Sequence, residues 1–216
     1  MTSSCTRRRA MTLILHHLGH SRSERLIWLL EELNAAYELK RYARDPQSRL
    51  APAELARLHP LGKAPLIEYD GRVMAESGAI ALYLLEAFDP DHRLHPAPGA
   101  PERSAFLEWM HAAEGAVFLP FLMNTYLTAT GLEDSLLAGY MAAEREKALG
   151  YIEAHLSARD WFAGDHFTAA DIMMGYQLEA AEARGALTDA SPVHAWLERI
   201  RGRDAHKRMR AITADD

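Results

Sequence analysis

Apolar positions along the chain fall into two textures. Up to residue 88, short apolar runs alternate with helical spacings. Residues 12–17 (TLILHH) form an apolar run that predicts a strand. After the turn at residues 18–21 (LGHS), Leu26, Leu29, Leu30 and Leu33 recur at i, i+3, i+4 and i+7, which predicts a helix. Ser21, with Glu24 three residues later, reads as its capping box. Residues 37–42 predict a second strand. Residues 52–58 predict a short helix with Pro52 near its first turn, and residues 59–65 (HPLGKAP) a loop. Residues 65–69 and 72–75 flank Asp70-Gly71, a hairpin signal. A further helix opens at Ser77, giving the order β-α-β-α-β-β-α.

The texture then changes. Residues 89–101 (DPDHRLHPAPGAP) hold four prolines without periodicity and read as a linker. Beyond them the spacing is helical throughout, with helices predicted near 101–127, 134–157, 169–184 and 191–201. Residues 167–172 (FTAADI) carry a capping box, with Phe167 and Ile172 placed for a hydrophobic staple. The predicted organisation is a disordered tail over 1–10, an α/β domain over 11–89, a linker over 90–100 and an all-helical domain over 101–216.

Composition narrows the class. Of 216 residues, 49% are apolar and 25% charged, as in a globular protein with a real core, and no apolar run is long enough to span a bilayer. Arg7, Arg8 and Arg9 give residues 1–10 a charge of +3, so residues 11–216 carry −9 of the net −6. An acidic body argues against nucleic acid as a partner. Cys5, in the tail, is the one cysteine, which excludes a disulfide framework, a CxxC pair and a cysteine zinc site and points to the cytoplasm. His16, His17 and His20 lie close together. Strand alternation sends His16 and His17 to opposite faces, so no metal site is expected and they read as ordinary polar residues of a strand end.

One junction asks for more than a helix start. In residues 74–88 (MAESGAIALYLLEAF), a cap explains Ser77 but not the carboxylate of Glu76 before it. Together with HHLGHSRSERLIWLLEEL (16–33), HPLGKAPLIE (59–68) and FTAADIMMG (167–175), the ESGAIALYL motif (76–84) resembles the glutathione transferases. The resemblance spans residues 11–205 and is nearest to a fungal and bacterial serine-type branch. It implies a thioredoxin-like N-terminal domain followed by an all-helical C-terminal domain, and a cytoplasmic homodimer that acts in detoxification. It further implies glutathione as co-substrate, a hydrophobic electrophile as its partner, and no metal.

On this resemblance, the glutathione γ-glutamyl carboxylate meets the helix N-terminus at Ser77, and its ammonium meets Glu76. The Ala64–Pro65 bond is expected to be cis, with Ala64 pairing with the cysteinyl backbone. Lys63 stands where many members carry glutamine and is a candidate for the glycyl carboxylate, as are Arg44 and Arg49. Ser21 and His20 are the candidate thiol activators, Ser23 competes with them, and Ser21 is favoured. A free thiol with a pKa near 8.5 needs about 2.7 kcal/mol of preferential thiolate stabilisation to ionise two units lower. Arg22 and Arg25 would supply positive potential, Arg25 rather as a structural ion pair. The electrophile pocket is expected around Trp109, His111 and Phe118, with Glu114 and Met123 on the same predicted helix. A transferase forming no covalent intermediate is the leading reading. A glutathione-dependent isomerase and a non-catalytic binding module of the same fold are the alternatives.

Overall fold

A computed structural model of the protein describes residues 12–216. The predicted tail, with Cys5, lies outside the described residues. Four strands, β1 (Ile14–Leu18), β2 (Glu38–Tyr42), β3 (Leu66–Tyr69) and β4 (Arg72–Met74), form one sheet in the order β2-β1-β3-β4. β2 runs parallel to β1, and β3 and β4 are antiparallel, with Ile14 opposite both Glu38 and Glu68. Asp70 and Gly71 have φ of 51° and 72°, the left-handed pair that a two-residue hairpin requires. Helices α1 (Ser23–Leu33), α2 (Ala53–Leu58) and α3 (Ser77–Phe88) complete this half in the predicted order.

The second half contains α4 (Arg103–Ala112), α5 (Phe118–Thr130), α6 (Leu136–Leu156), α7 (Ala169–Ala183), α8 (Val193–Arg201) and α9 (Asp204–Ile212). The single helix expected over 101–127 is two. Pro120 lacks an N–H and its ring would clash with the carbonyl four residues back, so the helix restarts at Phe118, where Pro120 sits in the first turn. The interruption carries Glu114. α9 was not anticipated, because its buried face is only Ala205, His206 and Met209. It packs on α1 through Arg203 and Arg208, which pair with Glu32 and Glu31.

The α1 capping box does not form. Ser21 precedes the N-cap, Arg22, and its carbonyl rather than its side chain accepts the Glu24 N–H at 3.1 Å. The second box forms as expected: Thr168 Oγ1 accepts from the Ala170 N–H, and Asp171 Oδ2 accepts from the Thr168 N–H at 2.9 Å. Asp171 Oδ1 also accepts from Trp196 Nε1 at 3.0 Å, tying α7 to α8.

One apolar cluster joins both halves, running from Leu15 and Ile67 of the sheet through α1 and α3 to α4, α7 and α8. Trp28 is its hinge pin. Its ring lies between Phe167 and His206, and it fits because residue 175 is glycine: a Cβ there would stand 2.8 Å from Trp28 Cζ3. This shared core fixes the loop after β1 against α5 and α7, and a cleft remains between them.

Candidate active site

The cleft consists of two adjoining cavities that share Arg22, Lys63 and Ala64. The smaller, about 30 Å³, is also lined by Pro65, Glu76 and Ser77. The larger, about 300 Å³, is also lined by Leu18, His20, Ser21, Arg44, Phe118, Leu122, Tyr126 and Tyr176. Residues from four separate stretches of the first half, together with α5 and α7, thus meet on one surface.

At the small end, α3 presents its N-terminus. The first intrahelical bond runs from the Ile80 N–H to the Glu76 carbonyl at 2.9 Å. The N–H groups of Ser77, Gly78 and Ala79 therefore have no helical partner, and the helix dipole adds positive potential there. Glu76, not Ser77, is the N-cap. Its φ of 72° and ψ of 109° are uncommon for a residue with a Cβ, a conformation that costs on the order of 1–3 kcal/mol and tends to mark functional positions. Its side chain is exposed at the cleft. The Ala64–Pro65 peptide is cis, with Pro65 buried and Ala64 half-buried between Glu76 and Ser21 along the cleft wall.

Glu114 organises this end from beneath. Its carboxylate accepts from the Ser77 hydroxyl at 2.8 Å and pairs with both Arg22 and Arg25. Burial alone would raise the Glu114 carboxyl. The two guanidinium charges, Arg25 first, and the Ser77 hydroxyl overcome burial and hold it below the usual carboxylate range. Arg25 is 1% exposed and Glu114 is its ion partner, so the expectation of a structural ion pair for Arg25 is met. The Ser77 hydroxyl proton is already engaged by Glu114, which leaves the Ser77 N–H and the Oγ lone pairs toward the cleft.

At the wide end, Ser21 Oγ lies 2.7 Å from Ser23 Oγ and accepts from the Ser23 N–H at 3.3 Å. His20 has a φ of 51° and is held by Arg44, whose Nη2 donates to the His20 carbonyl at 3.1 Å and whose Nε donates to the Gly19 carbonyl at 3.2 Å. Arg44 also donates to the Arg49 carbonyl, so it is a strut of this loop rather than a free cation, and Arg49 lines a different cavity. Lys63 is exposed where the two cavities meet.

The expected electrophile pocket is partly corrected. Phe118 does line the cleft, with Arg22 stacked over its ring at 4.6 Å. Trp109 does not: with Phe106 and Met110 it forms the buried stripe of α4, stacked on Tyr151 and tilted against Phe162. His111 points to the opposite, exposed side of that helix and lines none of the cavities described. Tyr126, Leu122 and Tyr176 take their place. Burial raises the Tyr176 phenol. Local spacing gave no signal for these three, because α5 and α7 reach the cleft only after the halves pack. Among the described residues no group of histidine, cysteine and carboxylate side chains is placed to hold a metal.

Comparison with known proteins shows the family of the chain. Residues 11–86 match the family described as "Glutathione S-transferase, N-terminal domain" and residues 141–199 that described as "Glutathione S-transferase, C-terminal domain". The chain is 33% identical to glutathione S-transferase 3 of Schizosaccharomyces pombe, over 79% of this chain and 74% of that one. It is 31% identical to glutathione S-transferase 1 of Saccharomyces cerevisiae, over 89% and 91%. A crystal structure of a glutathione S-transferase from Actinobacillus pleuropneumoniae superposes with a TM-score of 0.82 at 30% identity, covering 94% of this chain and 93% of that one.

Proposed function

Because the chain belongs to the glutathione transferase family and is a glutathione transferase enzyme, we propose that the cleft holds the tripeptide along its length, with the thiol at Ser21. The observation that carries this reading is the convergence of Ser21, Lys63, Ala64, Pro65, Glu76 and Ser77 on one continuous surface. The γ-glutamyl ammonium pairs with Glu76, and the α-carboxylate takes the free N–H groups at the start of α3. The Ala64 backbone meets the cysteinyl unit, and Lys63 attracts the glycyl carboxylate as a point charge. Phe118, Leu122, Tyr126 and Tyr176 form the half-apolar wall against which a hydrophobic electrophile lies. The thiolate attacks that electrophile directly, and no protein cysteine takes part. Both His20 and Ser21 line the cleft, and Ser21 is preferred because its hydroxyl is joined through Ser23 to the buried His17.

We further propose that the enzyme works in the cytoplasm, in detoxification, as a homodimer. No described helix is long and apolar enough to cross a membrane. The exposed Leu136, Leu137 and Tyr140 at the start of α6 support a face covered by a second copy. Sedimentation velocity tests the dimer.

Calorimetric titration of reduced glutathione into the full chain tests the site. Saturable binding that Glu76→Gln weakens is expected. Absence of binding to the wild type would overturn the assignment of this cleft and leave the fold serving as a partner-binding module.

A further inference from the structure

His17 does not behave as an ordinary strand-end residue. It is fully buried, and both ring nitrogens are engaged: Nδ1 lies 2.7 Å from Ser23 Oγ, and Nε2 lies 2.6 Å from Asp216 Oδ2. Ser23 Oγ in turn lies 2.7 Å from Ser21 Oγ at the cleft. Four side chains thus form one unbroken chain of short hydrogen bonds from the cleft to the Asp216 carboxylate.

The proton positions follow from what each group can do. A carboxylate only accepts, so the single proton of a neutral His17 sits on Nε2 and Nδ1 is an acceptor. Ser23 then donates to Nδ1, its 2.7 Å partner, in preference to the Leu18 carbonyl at 3.3 Å. Having one proton, Ser23 accepts from Ser21, and the Ser21 lone pairs face the cleft. Arg41 donates to the other Asp216 oxygen at 2.9 Å. The groups around His17 are Asp216, Arg41 on β2 and His20 after β1, with Glu24 on α1 close to Asp216. Burial, the largest influence, lowers the His17 pKa despite the Asp216 carboxylate, so the ring of the ligand-free site is neutral at pH 7 and its Nδ1 is an acceptor. Gly19 makes room for this docking, since a Cβ there would stand 3.0 Å from Asp216 Cβ.

We propose that His17, backed by Asp216, receives the glutathione thiol proton through Ser23 and Ser21. The inference rests on the reading of Ser21 as the thiol's partner. The S–H bond breaks and leaves its electron pair on sulfur. Ser21 Oγ takes the thiol proton and passes its own to Ser23, which passes its own to His17 Nδ1. All hydroxyls then point outward, so Ser21 donates a hydrogen bond to the thiolate it has helped create. The imidazolium is balanced by Asp216, and after product departure its proton returns through the same hydroxyls to solvent. His17 and Asp216 are positioning residues in this scheme, acting on the thiol through Ser21.

The test follows the thiolate absorbance of bound glutathione against pH for the wild type, Asp216→Asn, Ser23→Ala and Ser21→Ala. Nitrogen NMR of His17 in the wild type accompanies it. Asp216→Asn and Ser23→Ala are expected to raise the bound thiol pKa by about one unit, a tenfold loss of thiolate, and to shift the kcat/KM profile to higher pH. Their calorimetric affinity for glutathione stays within about twofold of wild type. The negative charge of the thiolate formed at Ser21 is expected to raise the His17 pKa from its ligand-free value, so that the ring becomes doubly protonated when glutathione saturates the site. A His17 ring that stays singly protonated while thiolate forms would overturn the relay without any variant. So would a thiol pKa unmoved by Asp216→Asn but raised by Ser21→Ala, which leaves the Ser21 reading standing. If Ser21→Ala also leaves the thiol unmoved, that reading fails and the relay with it.

Discussion

The two ends of the cleft solve their electrostatics differently. At the α3 end, charge is permanent: Glu114 sits below Ser77 with Arg22 and Arg25 against it, and burial is offset by fixed ion pairs. At the β1 end, the polar core is a chain of hydroxyls and one imidazole whose burial favours the neutral form. The first suits a ligand group that stays ionised throughout. The second suits one that must change its protonation state. A site built from fixed charges alone would hold a carboxylate and an ammonium but offer a thiol proton nowhere to go.

The largest effect is expected from breaking the charged end. Glu114→Ala leaves Arg25 buried without its counter-ion, and its Nε and Nη2 already lack partners among the described residues. Loss of one member of a buried pair costs about 3–5 kcal/mol. Urea denaturation of the variant measures it. A cost below about 1 kcal/mol would mean that Arg25 is solvated and that this end is not held by fixed charge.

Next comes the chemistry of the neutral end. Ser21→Ala removes the hydroxyl that faces the thiol, and kcat/KM with an aryl halide at neutral pH is expected to fall about 10²–10³-fold, as when one preorganised donor is lost. The same change leaves the Ser23 N–H, the first of α1, without the Ser21 Oγ that accepts it at 3.3 Å, so a stability cost of about 1 kcal/mol should accompany the kinetic loss. A smaller step separates binding from chemistry. Glu76→Gln keeps size and backbone but removes the charge offered to the ammonium, which weakens glutathione by about 1.5–3 kcal/mol. Calorimetry should show that loss while kcat at saturating glutathione stays near wild type. A fall in kcat with unchanged affinity would place Glu76 in the chemical step instead.

What was legible in the sequence follows the same division. Glu76-Ser77 and Ala64-Pro65 are adjacent residues at element boundaries, so a local string carries their meaning. Glu114 meets Arg22 across 92 residues, and Asp216 meets His17 across 199, so no spacing rule joins them. Trp109 was misplaced because an aromatic at helical spacing fits a pocket wall and a core stripe equally well, and packing of α4 against α7 decides for the core. His17 was undervalued because alternation says which face a strand residue takes, not what waits there. The α1 capping box shows the limit of motif reading, for the Ser21 side chain meets the N–H and hydroxyl of Ser23, the first residue of α1, and not the N–H of Glu24.

The smallest expected effect is also the one that sets the two ends most directly against each other. Burial lowers the His17 pKa below its unfolded value near 6.5, so the unfolded chain binds the proton more readily. The native arrangement is therefore fully favoured above that value, and its advantage shrinks as pH falls through the window below it. The Glu114 carboxyl is held below its usual range, so its contribution is present above about pH 4.5 and is lost only in more acid solution. Comparing wild type with His17→Gln removes the background of other buried histidines. The stability gap between them should narrow between about pH 7 and 5, by about 1 kcal/mol for a shift of one unit. The gap between wild type and Glu114→Ala should hold constant over that range and close only below it. Should both gaps close together, the two ends would share one titration, and the contrast between a permanently charged pole and a neutral, proton-accepting one would be wrong.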